Sequence, residues 1–272
     1  MDVNPQLFPM TFIALALLMT ACGSSAETKP LTGVYLALGD SLSEGIGASD
    51  AEETSFVALV HEGLGPNIQL MNLGVAGDTS QDLIDQQLDR ATEEIATRNS
   101  DADPDNDVAV VTLEIGGNDL LEIFFDLVLP GTCPNVEDGL KNPECVQQVR
   151  ETLDTYGPNL NEILTRLREA DPDVPIFLLT LYNPFSGGVA MLDDLVELAL
   201  EGRPDTPFPE GLHDIVREQA DSHDAHLVEL GPQFEGKSRE YIATDLIHPN
   251  DTGYRVMADA VLKEMRDSGL ID

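Results

Sequence analysis

The sequence contains no tryptophan, and aromatic residues make up only 5% of its 272 residues. It therefore offers no obvious aromatic platform on which sugar rings stack. Basic residues are also scarce, because 14 Lys and Arg stand against 50 Asp and Glu, for a formal net charge of −36. This balance excludes a nucleic-acid-binding role, since neutralising phosphates requires a basic surface. It also disfavours anionic substrates and adsorption to an anionic membrane face by charge alone.

Cysteine is rare as well, and three residues allow at most one disulfide and one unpaired thiol. Cys133 and Cys145 flank the stretch TCPNVEDGLKNPEC. In an oxidising compartment a disulfide between them contributes roughly 3 kcal/mol to stability by chain entropy. Two buried free thiols are the alternative. Zinc is not expected there, because no Cys or His pair with ligand spacing lies nearby.

No apolar run reaches the roughly 20 residues that span a bilayer. The shorter run FIALALLM, at residues 12–19, ends in Thr20-Ala21-Cys22, which is typical of an export signal with a small-residue cleavage site. The segment LLMTAC resembles the lipobox of bacterial lipoproteins. This resemblance implies a signal peptide at residues 1–21, lipidation of Cys22, a tether at 22–30, and export to the cell envelope. Ordinary secretion, a periplasmic location and a structural N-terminal segment are the alternatives.

The remaining chain alternates between strand and helix patterns. Short apolar runs predict strands at residues 33–38, 68–73, 108–115, 174–181 and 226–230. Apolar spacings of three and four predict helices at residues 80–98, from 146 onward, at 192–200, at 212–220 and from after 249 to about 267. This order predicts an α/β fold in which helices cover both faces of a mostly parallel five-stranded sheet. Residues 31–272 are expected to form one domain.

Polar residues follow the predicted strands at their carboxyl ends, where open α/β sheets bind their ligands. The pieces are GDSLS at 39–43, GVAGDTS at 74–80, GGND at 116–119 and DLIHP at 245–249. Each piece alone is weak evidence, since a serine after a strand is usually a helix cap. Together they bring a hydroxyl, an imidazole, a carboxylate and amide donors to one sheet edge, and acyl transfer requires these groups.

In order and approximate spacing, these pieces resemble the four sequence blocks of the SGNH, or GDSL, hydrolases. The resemblance covers nearly the whole chain after the tether. It implies a flavodoxin-like three-layer αβα sandwich and serine ester hydrolysis without metal or cofactor. It also implies that Ser41 is the nucleophile, His248 its general base and Asp245 the residue that orients the imidazole. The backbone N–H groups of Ser41 and Gly77 and the side-chain amide of Asn118 would form the oxyanion hole.

Three other patterns fit less well. The G-x-S-x-G elbow of α/β-hydrolases is missing, because residue 43 is serine. Ser222, His223 and Asp224 are adjacent, but neighbouring side chains on a helix diverge, and we expect this trio to be exposed. Residues 101–107, DADPDND, are similar to a calcium loop but lack its sixth-position glycine and its twelfth-position glutamate. A solvated acidic turn is expected instead.

The substrate class follows only from this resemblance. Within the family, the sequence blocks of this chain look most like those of bacterial lipases and esterases. We expect a small-molecule or lipid ester as the substrate, a monomer, and membrane association only through the N-terminal lipid. Carbohydrate acetylesterase, lysophospholipase and thioesterase activities are the alternatives. A non-catalytic surface binding protein is the competing class. The apolar residues 120–130, LLEIFFDLVLP, line an acyl pocket, act as a lid, or form a helix buried beneath the cysteine segment.

Overall fold

The computed structural model describes Met1 and residues 30–272. The predicted signal peptide beyond Met1, Cys22 and the tether before Pro30 lie outside the described residues. Within the described part of the chain, no helix has the length and apolar character needed to cross a bilayer.

Five parallel strands of the described residues form one sheet. They are β1 (Gly33–Gly39), β2 (Ile68–Asn72), β3 (Val108–Glu114), β4 (Ile176–Leu179) and β5 (His226–Val228). Their order is β2-β1-β3-β4-β5, the doubly wound arrangement of flavodoxin-like folds. β1 and β4 are buried along their whole length because helices cover both faces of the sheet. Their sequences are therefore apolar throughout rather than alternating.

Three strands agree with their predicted ranges to within one residue, whereas β4 and β5 are shorter than predicted. β4 begins late because Pro175 has no N–H to donate. The Pro175 carbonyl still accepts a hydrogen bond from the Val111 N–H at 2.9 Å. β5 ends early because the N–H of Leu230 donates to the side-chain oxygen of Thr180, at 2.8 Å.

Helices connect the strands and follow the last one. They are α1 (Ser41–Glu44), α2 (Ala51–Thr54), α3 (Phe56–Leu64), α4 (Ser80–Leu83), α5 (Asp89–Arg98), α6 (Gly117–Ile123), α7 (Val136–Gly139), α8 (Pro143–Ala170), α9 (Ala190–Glu201), α10 (Leu212–Ser222), α11 (Gly231–Phe234), α12 (Ser238–Tyr241) and α13 (Asp251–Asp267). π-helical turns at Ile84–Leu88 and Phe124–Val128 join α4 to α5 and extend α6. The predicted helices are all present.

Two apolar cores, one on each face of the sheet, give the three-layer αβα sandwich that was predicted. α5, α8 and α10 pack on one face, and α3 and α13 pack on the other. β1 contributes to both cores, since Leu36 and Leu38 face one and Tyr35 and Ala37 face the other. The chain thereby fixes the carboxyl ends of β1 and β3 side by side.

Cys133 and Cys145 form a disulfide, with their Cα atoms 6.0 Å apart. The alternative of two free thiols is therefore not what the structure has. Ile123 and Leu127 pack on the disulfide in a small apolar cluster of their own. The disulfide thus ties the segment after α6 to the first turn of α8.

Candidate active site

Ser41 lies at the carboxyl end of β1, as the first residue of α1. Gly39, just before it, has a φ of +148°, and a Cβ there would lie 2.2 Å from the carbonyl oxygen of Glu114. Only glycine fits this close approach of β1 to β3. The Asp40 side chain then caps α1 by accepting a hydrogen bond from the N–H of Leu42, at 3.0 Å. These two constraints fix the direction of Ser41.

His248 bridges Ser41 and Asp245 through its two ring nitrogens. Its Nε2 lies 2.9 Å from Ser41 Oγ, and its Nδ1 lies 2.7 Å from Asp245 Oδ2. Because a carboxylate only accepts hydrogen bonds, Nδ1 carries the proton in neutral His248 and Nε2 is left to accept from the serine hydroxyl. Ser41 is 8% exposed, and the His248 side chain is 20% exposed.

The loop before α13 delivers both Asp245 and His248. Asp245 Oδ1 accepts hydrogen bonds from the backbone N–H groups of Ile247 and His248, each at 3.0 Å. Leu246 has a φ of +69°, a strained value for a bulky residue, and this turn brings both N–H groups to the carboxylate. Partial burial raises the pKa of Asp245, but the hydrogen bonds from Ile247 and His248 outweigh it and hold the pKa below its ordinary value.

Two of the three predicted oxyanion groups, Gly77 and Asn118, come from other strand ends, and the third is the N–H of Ser41 itself. Asn118, in the first turn of α6, donates its side-chain amide to the backbone oxygen of Asp78 at 2.9 Å. The same nitrogen lies 3.3 Å from Asp40 Oδ2. Gly77 has a φ of +90°, and a Cβ there would meet nothing within 4 Å. The left-handed backbone, rather than crowding, is therefore what favours glycine at position 77.

A buried carboxyl pair, Asp40 and Glu114, stands beside Ser41. Asp40 is 2% exposed and Glu114 is fully buried. Burial raises the pKa of Asp40 to about 6, and burial together with the Asp40 charge raises the pKa of Glu114 well above its ordinary value. No N–H or hydroxyl among the described residues donates to the oxygens of Glu114. Burial beside Asp40 therefore favours the protonated, neutral form of Glu114.

Four further hydrogen bonds, two from Ser80 and two from Gln87, hold the turns that carry Gly77 and Asn118. The N–H and hydroxyl of Ser80 donate to the two oxygens of Asp119, at 2.9 and 2.6 Å. The Gln87 side-chain amide donates to the Gly39 carbonyl at 2.7 Å and to Asp78 Oδ2 at 2.8 Å. Together they connect the turns after β1, β2 and β3.

Sequence reasoning missed Gln87 and Glu114. The signal for Glu114 was a lone carboxylate in the apolar run VAVVTLEI. Gln87 carried no comparable signal, because a glutamine in an amphipathic helix is ordinarily exposed.

A pocket with a volume of about 190 Å³ opens at Ser41 and His248. Residues 120–130 form one of its walls, through Leu121, Phe124 and Val128. Phe125 and Leu129, from the same segment, are 54% and 67% exposed. The segment is therefore a half-buried pocket wall, whose inner residues Ile123 and Leu127 pack against the disulfide.

The remaining candidates lie outside this site. Residues 101–107 precede β3 and so lie at the opposite edge of the sheet from Ser41. Among the described residues, no group of His, Cys, Asp or Glu has an arrangement that holds a metal ion. Ser222 and Asp224 are exposed, but the expectation that His223 is exposed is wrong. Its ring is half-buried at the end of α10, with Nε2 3.2 Å from the Thr165 hydroxyl.

Residues 37–256 match the model of the GDSL-like Lipase/Acylhydrolase family, and the chain therefore belongs to that family. It is 26% identical to the uncharacterized protein YpmR of Bacillus subtilis, over 94% of this chain and 95% of that protein. It is 25% identical to the spore germination lipase LipC of Bacillus licheniformis, over 84% of this chain and 94% of LipC. The crystal structure of phospholipase A1 from Streptomyces albidoflavus shares the fold, with a TM-score of 0.57 and 17% identity over 87% of this chain and 99% of that one. Family membership makes the protein a hydrolase of the esterase and lipase type.

Proposed function

We propose that the protein hydrolyses carboxylic esters through an acyl-enzyme on Ser41. The observation that carries the proposal is the unbroken line of hydrogen bonds from Ser41 Oγ through His248 to Asp245. A serine hydroxyl is a poor nucleophile at its free pKa, and an adjacent base at 2.9 Å overcomes this. The family match and the lipase name of LipC support the same chemistry.

In the acylation step, Ser41 Oγ attacks the ester carbonyl carbon while its proton moves to His248 Nε2. The π electrons of the carbonyl move to its oxygen, which becomes an oxyanion. When the carbonyl re-forms, the bond to the alcohol oxygen breaks, and this oxygen takes the proton from His248 and leaves as an alcohol. Asp245 keeps the imidazole in the required tautomer and stabilises its cationic form.

In the deacylation step, water attacks the acyl-enzyme and gives its proton to His248. The carboxylic acid leaves as Ser41 Oγ takes that proton back. In both steps the oxyanion would accept hydrogen bonds from the backbone N–H groups of Ser41 and Gly77 and from the Asn118 amide. The Asn118 amide nitrogen is already oriented by the Asp78 carbonyl. Its two hydrogens are donated to the Asp78 carbonyl and, over the longer distance of 3.3 Å, to Asp40 Oδ2, and the oxyanion would take the place of Asp40 as the second acceptor.

Carbohydrate acetylesterase, lysophospholipase and thioesterase activities use the same three side chains and differ only in the substrate groups. A non-catalytic binding protein has no need of a histidine held between a serine and a carboxylate, and this arrangement counts against it.

The test is hydrolysis of p-nitrophenyl esters by the protein from residue 24 to its end, with Ser41→Ala measured alongside. Turnover that disappears in Ser41→Ala supports a serine esterase. Turnover that persists in this variant contradicts it. The Ser41→Ala protein must unfold at the same temperature as the wild type, so that loss of activity reports on the hydroxyl alone.

We propose further that the protein is exported and lipid-anchored through Cys22. The Cys133–Cys145 disulfide supports export, because such bonds persist in oxidising compartments. Mass spectrometry of the protein from a bacterial membrane fraction tests the anchor. A diacylglyceryl mass on Cys22 supports it, and an unmodified or uncleaved N-terminus contradicts it. A monomer is expected throughout, and sedimentation measures this.

A further inference from the structure

The pocket that opens at Ser41 is polar at one end and apolar elsewhere. Asp40 and His248 are the only acidic or basic residues among those that line it, and both lie beside Ser41. Away from the mouth its walls come from α6 and its π-helical extension, from the disulfide segment with the start of α8, and from α9. A sugar ring needs hydrogen-bond partners that these walls lack, whereas a hydrocarbon chain needs none.

Distances along α8 show how far the pocket wall extends from the level of the site. Tyr156 lies at the level of the site, because its hydroxyl donates to the Ile115 carbonyl at 3.1 Å. Its ring also lies against Gly116, two residues before Asn118. Val149 and Val146 line the pocket seven and ten residues earlier on the same helix. At 1.5 Å per residue, they lie about 10 and about 15 Å from Tyr156 along the axis.

The volume sets the length of the chain that fits. A cavity of about 150 Å³ lined by aliphatic and aromatic side chains holds one benzene, which has six carbons. On the same scale, the 190 Å³ of this pocket accommodates about seven or eight carbons. Building on the proposed esterase activity, we propose that this pocket binds the acyl chain of a medium-chain ester, with Val146 and the Cys133–Cys145 disulfide as its far wall.

The acyl chain, rather than the alcohol, is assigned to the pocket because of where the leaving oxygen must go. This oxygen takes its proton from His248, so the alcohol lies on the side of the Asp245–His248 loop. That side is open to solvent, since Leu246 is 62% exposed. Apart from Ile247 and His248 at its opening, the pocket is lined mainly by residues of α6, α8 and α9 and by the segments next to them, together with Asn118.

The test compares kcat/KM for p-nitrophenyl esters from acetyl to palmitoyl. In the wild type we expect a rise of up to about fourfold for each added methylene as far as octanoyl, and no further rise beyond it. Val146→Phe shortens the pocket, and the ratio of kcat/KM for the octanoyl ester to kcat/KM for the acetyl ester should fall at least tenfold. Gln147→Phe adds the same ring to the exposed side of the same helical turn and should leave the profile unchanged. Leu140→Phe, from the facing segment, repeats the test if Val146→Phe does not fold.

The outcomes separate this inference from the proposed function. Ser41-dependent hydrolysis with a chain-length profile that neither Val146→Phe nor Leu140→Phe alters keeps the esterase and overturns the pocket assignment. A second series, of alkyl acetates, varies the alcohol chain and keeps the acyl group constant. If Val146→Phe changes the preference for the alcohol chain instead of the acyl chain, the pocket assignment is also overturned.

If no ester is hydrolysed, the proposed function fails. Calorimetry with octanoate at high salt then decides whether the pocket binds a hydrocarbon chain. Octanoate binding by the wild type and Gln147→Phe but not by Val146→Phe supports the apolar pocket. Absence of octanoate binding in all three proteins overturns it.

Discussion

The carboxyl groups of Asp40 and Glu114 form a buried pair beside Ser41, and no N–H or hydroxyl among the described residues donates to Glu114. The pair keeps a proton because two charges so close together in an apolar interior cannot both be stable. Asp40 in turn caps α1 and lies 3.3 Å from the Asn118 amide. The protonation of this pair therefore sets how much negative charge lies next to the proposed oxyanion hole.

Glu114→Gln should stabilise the protein increasingly as the pH rises. The pKa of Glu114 is raised in the folded state, so above about pH 4 the unfolded chain releases a proton that the folded chain keeps. The wild type therefore loses stability as the pH rises towards the folded pKa, and glutamine has no proton to lose. Thermal unfolding between about pH 4 and about pH 8 measures this, and 1 kcal/mol corresponds to about 2–4 °C.

The control is Glu122→Gln, which removes an exposed carboxylate from α6. Its difference in Tm from the wild type should stay nearly constant over the same range. If the difference in Tm between Glu114→Gln and the wild type stayed constant or shrank as the pH rose, this would contradict the buried acid pair.

Asp245→Asn should lower kcat by about 10⁴ while leaving the fold intact. The amide oxygen of asparagine still accepts from the N–H groups of Ile247 and His248, as Asp245 Oδ1 does. Its NH₂ group then faces Nδ1 of His248 and forces the proton onto Nε2, which no longer accepts from Ser41. Asp251→Asn is the matched control, because the Asp251 carboxylate accepts hydrogen bonds from Ser49 and Thr54 and not from His248. Its kcat should stay within about twofold of the wild-type value. Near-wild-type turnover by Asp245→Asn would refute the role of Asp245.

Asn118→Ala should lower kcat by about 10²–10³ and change KM little, because the lost hydrogen bond strengthens only as the oxyanion forms. Steady-state kinetics with one short-chain ester separate the two parameters. The wild-type Asn118 side chain also binds the Asp78 carbonyl, so the Tm of the variant must be compared with that of the wild type. A loss of less than tenfold in a folded variant would show that Asn118 is not an oxyanion donor.

Removing the disulfide with Cys133→Ser and Cys145→Ser should cost roughly 3 kcal/mol, because the cross-link closes a loop with a sequence separation of 12. A reductant should lower the Tm of the wild type and have no effect on the double variant. Equal melting of both proteins with and without reductant would mean that the bond does not form in solution.

The strands and the four polar pieces were predictable because both leave local traces in the sequence. Buried parallel strands are continuous apolar runs, and Ser41, Asn118 and His248 follow or precede elements that are easily recognised. Gln87 and Glu114 were not predictable, since each is a polar residue whose burial depends on partners from elsewhere in the chain. Gln87, for example, binds Gly39 across a separation of 48 residues.

The pocket was not predictable for the same reason, because it is formed by distant parts of the chain. Its walls come from α6, α8 and α9 and meet only when the sandwich forms. The apolar character of residues 120–130 was visible in the sequence, but not whether they faced a core or a cavity.

The central claim is that Ser41 is the nucleophile, and covalent labelling tests it most directly. A fluorophosphonate is attacked by an activated serine, which gains one phosphonyl group as fluoride leaves. Peptide mass spectrometry should place a single phosphonyl group on Ser41, with no label on Ser41→Ala and a large loss of label in Asp245→Asn. Labelling of another residue, or an unlabelled Ser41 in a protein that still hydrolyses esters, would contradict the account.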